Sequence, residues 1–151
     1  MLNSNQLLTY KNNNVIARYE QDFPLAKMNA NDAFRELMKY IWLCTKHKTE
    51  LQQRPDDSSL HFYCSMHDEM KDIDNMWHTF LLFTLDYHQF CHDYLDGNFF
   101  HHCPLSETLS RDEYEVDLTR YLSYIYDNLG EETVLTWFDH EDHESTAAPA
   151  T

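Results

Sequence analysis

Four side chains able to bind a metal or move a proton recur at helical spacing in one stretch of the chain: Asp74, His78, His88 and His92. Asp74/His78 and His88/His92 are each spaced i, i+4, which lets two ligands of one helix converge on one ion. On a wheel of 100° per residue, all four lie within about 40° of Asp74. They cannot share one ion, because Asp74 and His92 would stand about 27 Å apart at ~1.5 Å per residue. Each pair needs partners from elsewhere, and His101, His102 and Cys103 follow shortly after the helix. Folded back, that loop would reach His88/His92 readily and His78 with a longer run; the candidate metal set is Asp74, His78, His101 and His102. Mixed imidazole and carboxylate donors suit Zn²⁺ or Fe²⁺ better than Ca²⁺. Three protein ligands and an open position would let the ion activate a water.

Plainer chemistry accounts for the same residues. A carboxylate one turn away satisfies a buried imidazole without any metal, so His78 also reads as a core donor to Asp74 or to a backbone carbonyl. The metalloprotease motif needs a Glu after its first His, and Trp77-His78-Thr79-Phe80 supplies none. His88 and His92 flank Cys91 and read as polar residues at a wet helix end. Cys91 becomes a nucleophile only if its thiol pKa is lowered. No complete catalytic motif is legible, so no reaction is assigned.

These side chains must be positioned by helices. Only two glycines and four prolines occur in 151 residues, too few for the turns of a sandwich or barrel. The spacing predicts an all-α, single-domain bundle of four to five helices over residues 1–138, around a buried central helix at about 66–94. That central segment carries Met70, Ile73, Met76, Trp77, Phe80, Leu81, Leu82, Phe83, Leu85, Tyr87 and Phe90, apolar on nearly every side. Asp96-Gly97-Asn98 ends it with a left-handed glycine. A short helix is predicted from Val15 to Phe23, closed by Pro24. A longer one runs from about Asn31, its N-cap, to His47, and residues 49–62 form a polar connection. Ser110 with Glu113 is a capping box for a helix bearing Tyr114, Leu118, Tyr121, Leu122, Ile125 and Leu129, stopped by Gly130. Glu131 to Phe138 is the last helix. Residues 139–151 read as an acidic, disordered tail in which Asp139-His140-Glu141-Asp142-His143-Glu144 is solvated rather than chelating.

Composition narrows the partners. The net charge is −15, which repels phosphate backbones and anionic membrane surfaces, so neither nucleic acid nor membrane is an expected partner. The longest apolar run, Phe80 to Phe83, is far short of the ~18–20 residues a bilayer needs. The N-terminus has neither the basic start nor the apolar run of a secretory leader, which points to a cytoplasmic protein. Cys44, Cys64, Cys91 and Cys103 contain no CxxC pair and read as reduced, small hydrophobic residues. Aromatics make up 15% of the chain, enough rigid apolar surface to outweigh the charge and fold.

Asp72-Ile73-Asp74-Asn75-Met76-Trp77-His78-Thr79 resembles the recurring Asp…Trp-His-Thr element of the glycine-rich domain-containing protein-like family. The likeness continues through Tyr87, Phe90-Cys91, Tyr94 and His101-His102-Cys103-Pro104, and more faintly to Trp42 and Trp137, spanning residues 14–138. Carried over by position, it singles out Asp74, His78, Cys91 and His102. Larger relatives have a second His after Trp-His-Thr, where this chain has Phe80, so a site using that imidazole would be incomplete. The chain is similar to the small bacterial-type version, without a glycine-rich region. The resemblance implies an arrangement and no activity. The C-terminal Asp/Glu-rich stretch followed by Ala, Ser and Thr is similar to the translocation signals of bacterial type IV secretion effectors, which gives an alternative localisation in a host cytosol.

Taken together, the sequence points to a binding or regulatory module acting through protein contacts, with a basic partner suited to its charge. The surface expected of it is an aromatic patch beside acidic residues. The alternative is a Zn- or Fe-binding helical protein, extending to a metal-dependent enzyme, with Asp74, His78, His101 and His102 as ligands.

Overall fold

Caps and apolar spacing set the helix boundaries. The computed structural model describes residues 4–101 and 109–138. Among them are seven α-helices and no strand: α1 Ser4–Thr9, α2 Asn13–Asp22, α3 Ala30–Gln53, α4 Lys71–Leu82, α5 Thr84–Tyr94, α6 Arg111–Leu129 and α7 Glu131–Phe138. The chain is all-α, as its composition predicts. No helix among the described residues is long and apolar enough to cross a membrane.

Local signals were read well where a side chain meets a helix end. Ser110 accepts from the Glu113 amide while the Glu113 carboxylate accepts from the Ser110 amide, so the capping box exists. Gly130, at φ 94°, stops α6. Asp96 and Gly97 both take positive φ after α5, where the chain turns. α3 is capped two residues earlier than expected: Asn29, not Asn31, accepts from the Asp32 amide at 2.8 Å. It also runs past His47 to Gln53, and a 3₁₀ turn at Ser58–Leu60 occupies part of the expected connection.

The predicted central helix at 66–94 is broken. A 3₁₀ turn at Asp68–Met70 precedes α4, and Phe83, at φ −93° and ψ 67°, separates α4 from α5. Ring packing explains the break. Phe80 and Phe90 lie ten residues apart, roughly 15 Å along a straight helix, yet their ring centroids are 5.3 Å apart. Phe80 also meets Tyr87 at 4.9 Å. Turning the chain at Phe83 lets three large rings share one core, which offsets the helical hydrogen bonds lost there. Leu82 and Leu85, expected inside, are consequently 61% and 81% exposed.

The described residues form two compact units. Unit 1 comprises residues 4–46 and 71–101; unit 2 comprises 47–70 and 109–138. In unit 1, α4 packs on α2 and α5, and Val15, Leu37, Ile41, Met76 and Phe80 are buried. Asp72 accepts from the Met28 amide at 2.9 Å, and Asn12 both caps α2 and donates to Asp86 of α5. Trp77 donates to the Tyr87 hydroxyl, which in turn donates to the Phe100 carbonyl at 2.6 Å. In unit 2, α6 packs on α7, and α7 on the Asp68–Met70 turn. Phe62, Tyr121, Ile125 and Trp137 are buried there.

Candidate functional site

The Asp74–His78 pair forms on α4 as its spacing predicts, with Asp74 Oδ1 3.6 Å from His78 Nε2. It is a surface pair. The His78 side chain is 53% exposed, which overturns the reading of His78 as a buried core donor. The break at Phe83 also means that the wheel drawn for one continuous helix does not carry to His88 and His92, so the four-residue face is not formed as drawn. His88 is exposed, and His92 lies 3.2 Å from its neighbour Asp93. His101 is exposed, its ring edge-on to Phe99. His102 and Cys103 lie outside the described residues, as does the tail stretch 139–144. Among the described residues, no three His, Cys, Asp or Glu side chains gather as a metal site. Cys91 is buried, and burial pushes its thiol up despite a hydrogen bond with the Phe100 backbone, so it is a packing residue rather than a ready thiolate.

A second, more elaborate arrangement lies within unit 2. The capping box starts α6 so that Asp112, Glu113, Val116, Asp117 and Arg120 follow one another at i, i+3, i+4 and longer helical steps along one face. Opposite them runs the short segment His61–Tyr63. Its path is set residue by residue. Asp57 caps the 3₁₀ turn that buries Leu60, and the Leu60 carbonyl takes a 2.8 Å bond from the His47 ring. Phe62 then stacks on His47 at 4.1 Å and packs against Tyr121 and Tyr124. Burying Phe62 turns the next amide toward α6, where Asp117 Oδ1 accepts from the Tyr63 N–H at 2.8 Å. Arg120 Nη1 donates to the His61 carbonyl at 3.1 Å, and His61 Nε2 lies 2.7 Å from the Pro55 carbonyl.

The result is an open groove of about 440 Å³ lined by His61, Tyr63, Leu109, Val116 and Arg120 with the carboxylates of Asp112, Glu113 and Asp117. Asp117 is only 8% exposed: it serves as both lining and strut. Tyr63 and Val116 are exposed within the groove, and Tyr114 is exposed on the same helix. This is an aromatic and apolar strip beside acidic residues.

Unit 2 also holds titratable groups that sequence reasoning did not single out. Tyr124 donates to Glu50 at 2.5 Å, and burial together with that carboxylate pushes its phenol well above the ordinary range. Burial lowers His47, against the opposing pull of its backbone bond and of Glu50 and Asp117. Burial likewise lowers His67, whose Nε2 is shut away without a hydrogen-bond partner among the described residues. The apolar stripe expected on α6 does not include Asp117 and Tyr124, and both are buried. Their 117, 121, 124 spacing is the signal that could have placed them with Tyr121.

Comparison with protein families, curated proteins and solved structures finds no match.

Proposed function

We propose that this chain is a protein-binding module whose unit 2 groove takes a partner segment carrying Lys or Arg beside an apolar side chain. The observation that carries this reading is the lining itself: exposed Tyr63 and Val116 next to Asp112, Glu113 and Asp117. Three carboxylates against one guanidinium leave the groove negative, in a chain whose net charge is −15. Aromatic and aliphatic anchors provide contact area, while the carboxylates choose the sign of the partner. Arg120 and Asp117 are already spent on the His61–Tyr63 backbone, so the groove does not have to form before it binds.

Calorimetric titration with an amphipathic Lys/Leu peptide and its Glu/Leu counterpart tests this. The Lys peptide binds, more weakly as salt rises, and Asp112→Asn or Val116→Ser weakens it about tenfold, ~1.4 kcal/mol. Equal binding of both peptides, or binding indifferent to these substitutions, contradicts the reading.

A metal centre at Asp74 and His78 is the second reading, favoured by one distance. Two donors each about 2.1 Å from a tetrahedral ion stand roughly 3.4 Å apart, close to the 3.6 Å between Asp74 Oδ1 and His78 Nε2. His102 is the candidate for a further ligand, with His101 beside it. Near-stoichiometric Zn or Fe that Asp74→Ala and His78→Ala both abolish supports this site. Metal-free, folded protein that gains no thermal stability from added Zn²⁺ or Fe²⁺ removes it.

A further inference from the structure

The strongest unexplained feature of unit 2 is the imidazole of His67. Its ring sits among Tyr121 (centroids 5.6 Å apart), Phe138 (5.5 Å) and Tyr114 (6.0 Å). Nδ1 is 3.4 Å from the Tyr114 hydroxyl. Nε2 is buried and has no hydrogen-bond partner among the described residues. Phe138 is the last residue of α7, so the ring is packed directly against the end of that helix. Around it, the Asp68–Met70 turn contributes Asp68 and Glu69, and α6 contributes Asp117, Tyr114 and Tyr121. α7 contributes Phe138, which does not titrate.

We propose that His67 is an acid-triggered release point for the packing of α7 within unit 2. The neutral ring tolerates this seat as the tautomer whose Nδ1–H donates to the Tyr114 hydroxyl, which leaves Nε2 without a hydrogen against the rings. Adding a proton makes both nitrogens donors and places a full charge on the ring. Nε2 then has an N–H with no described acceptor, only aromatic surface, and a buried charged donor without an acceptor is costly. Aromatic faces attract a cation but accept only a weak hydrogen bond from its N–H, where an oxygen would accept a strong one. The carboxylates of Asp68, Glu69 and Asp117 favour the charged ring, but burial opposes it more strongly, which is why the ring's pKa is lowered in spite of them. A charged ring that leaves this seat for water vacates the contact with Phe138, and the C-terminal end of α7 keeps only Tyr121 of the two rings it packs on. The linkage has a definite sign. A histidine lowered by folding binds its proton more readily in the opened state, so packing is complete above the ordinary value of about 6.5 and weakens below it.

Two measurements on the full chain test this. In amide hydrogen exchange between about pH 7.5 and pH 5, corrected for intrinsic rates, the α7 amides lose protection at least tenfold relative to α4, an effect set by the opened state's uptake of a proton. His67→Phe keeps a ring in the seat and removes the titration, so it abolishes that loss. His47 is also lowered by burial, and a His67→Phe protein that keeps the wild-type response would assign the effect to His47 and overturn the proposal. Should His67→Phe fail to fold, NMR titration of the wild-type imidazole decides the matter. A His67 midpoint below the ordinary value, with α7 signals moving in step, sustains it. A midpoint at or above that value, or α7 signals that stay still, overturns it.

Discussion

The two units bury different kinds of side chain. Unit 1 buries no histidine among its described residues and is held largely by rings and aliphatic chains, with Asp72, Asp86 and Tyr87 hydrogen-bonded between its segments: Phe80 alone meets Tyr10, Phe34, Tyr87 and Phe90. Its buried carboxylate, Glu36, is tied to Lys39 and Arg35 of the same helix. Unit 2 places titratable groups where its elements meet, with His47, His67, Asp117 and the Tyr124–Glu50 bond all between segments distant in sequence. Apolar packing is insensitive to pH and salt, while hydrogen-bonded and titratable contacts respond to both. The contrast separates a unit packed mainly through rings from one in which burial lowers the pKa of two histidines.

Breaking unit 1 should have the largest effect. Phe80→Ala removes a fully buried ring, and denaturant unfolding of the full chain should show a loss of about 3–5 kcal/mol. A loss below 1 kcal/mol would mean that the ring cluster does not organise unit 1. Next in size is the strut of unit 2. Asp117→Ala leaves the Tyr63 N–H without the acceptor it has now and should cost ~1–3 kcal/mol. It should also displace the groove's Tyr63 wall, visible as faster exchange of that amide. A structure with Tyr63 still in place would show that the strut is dispensable.

Acidification sharpens the comparison with a smaller, graded effect. His47 and His67 are both lowered in the fold and both belong to unit 2. Their opened states bind protons first as pH falls through about 6.5, so unit 2 stability falls below that value, by at most ~1.4 kcal/mol per pH unit for each proton taken up. Parallel pH profiles for amides of both units would erase the distinction drawn between them. The smallest effect belongs to α4: His78→Ala should change stability by less than about 1 kcal/mol, as for an exposed ion pair.

What could be read in the sequence follows how local its cause is. The α6 capping box, the Gly130 stop and the Gly97 turn are decided within four or five residues, and Ser110, Glu113 and the glycines announce them. The break at Phe83 is decided by Phe80, Tyr87 and Phe90 packing together, and a wheel drawn along an unbroken helix cannot register that. The Asp74–His78 contact was legible because i, i+4 spacing alone creates it. Its exposure was not, since exposure depends on which face α2 and α5 cover. Asp117 was hidden for a related reason: the partner that makes its burial tolerable is the Tyr63 amide, 54 residues away in sequence. An acidic chain with aromatic side chains suggested a protein-binding surface; only the fold collects Tyr63, Val116 and three carboxylates into one groove.

Amide chemical-shift mapping of the full chain with the Lys/Leu peptide tests the central claim most directly. The account predicts saturable shifts concentrated at Tyr63 and along Asp112 to Arg120, while α4 and α5 of unit 1 stay unperturbed. Shifts centred on the exposed Leu82 and Leu85 of unit 1, or spread evenly over the acidic surface, would contradict it.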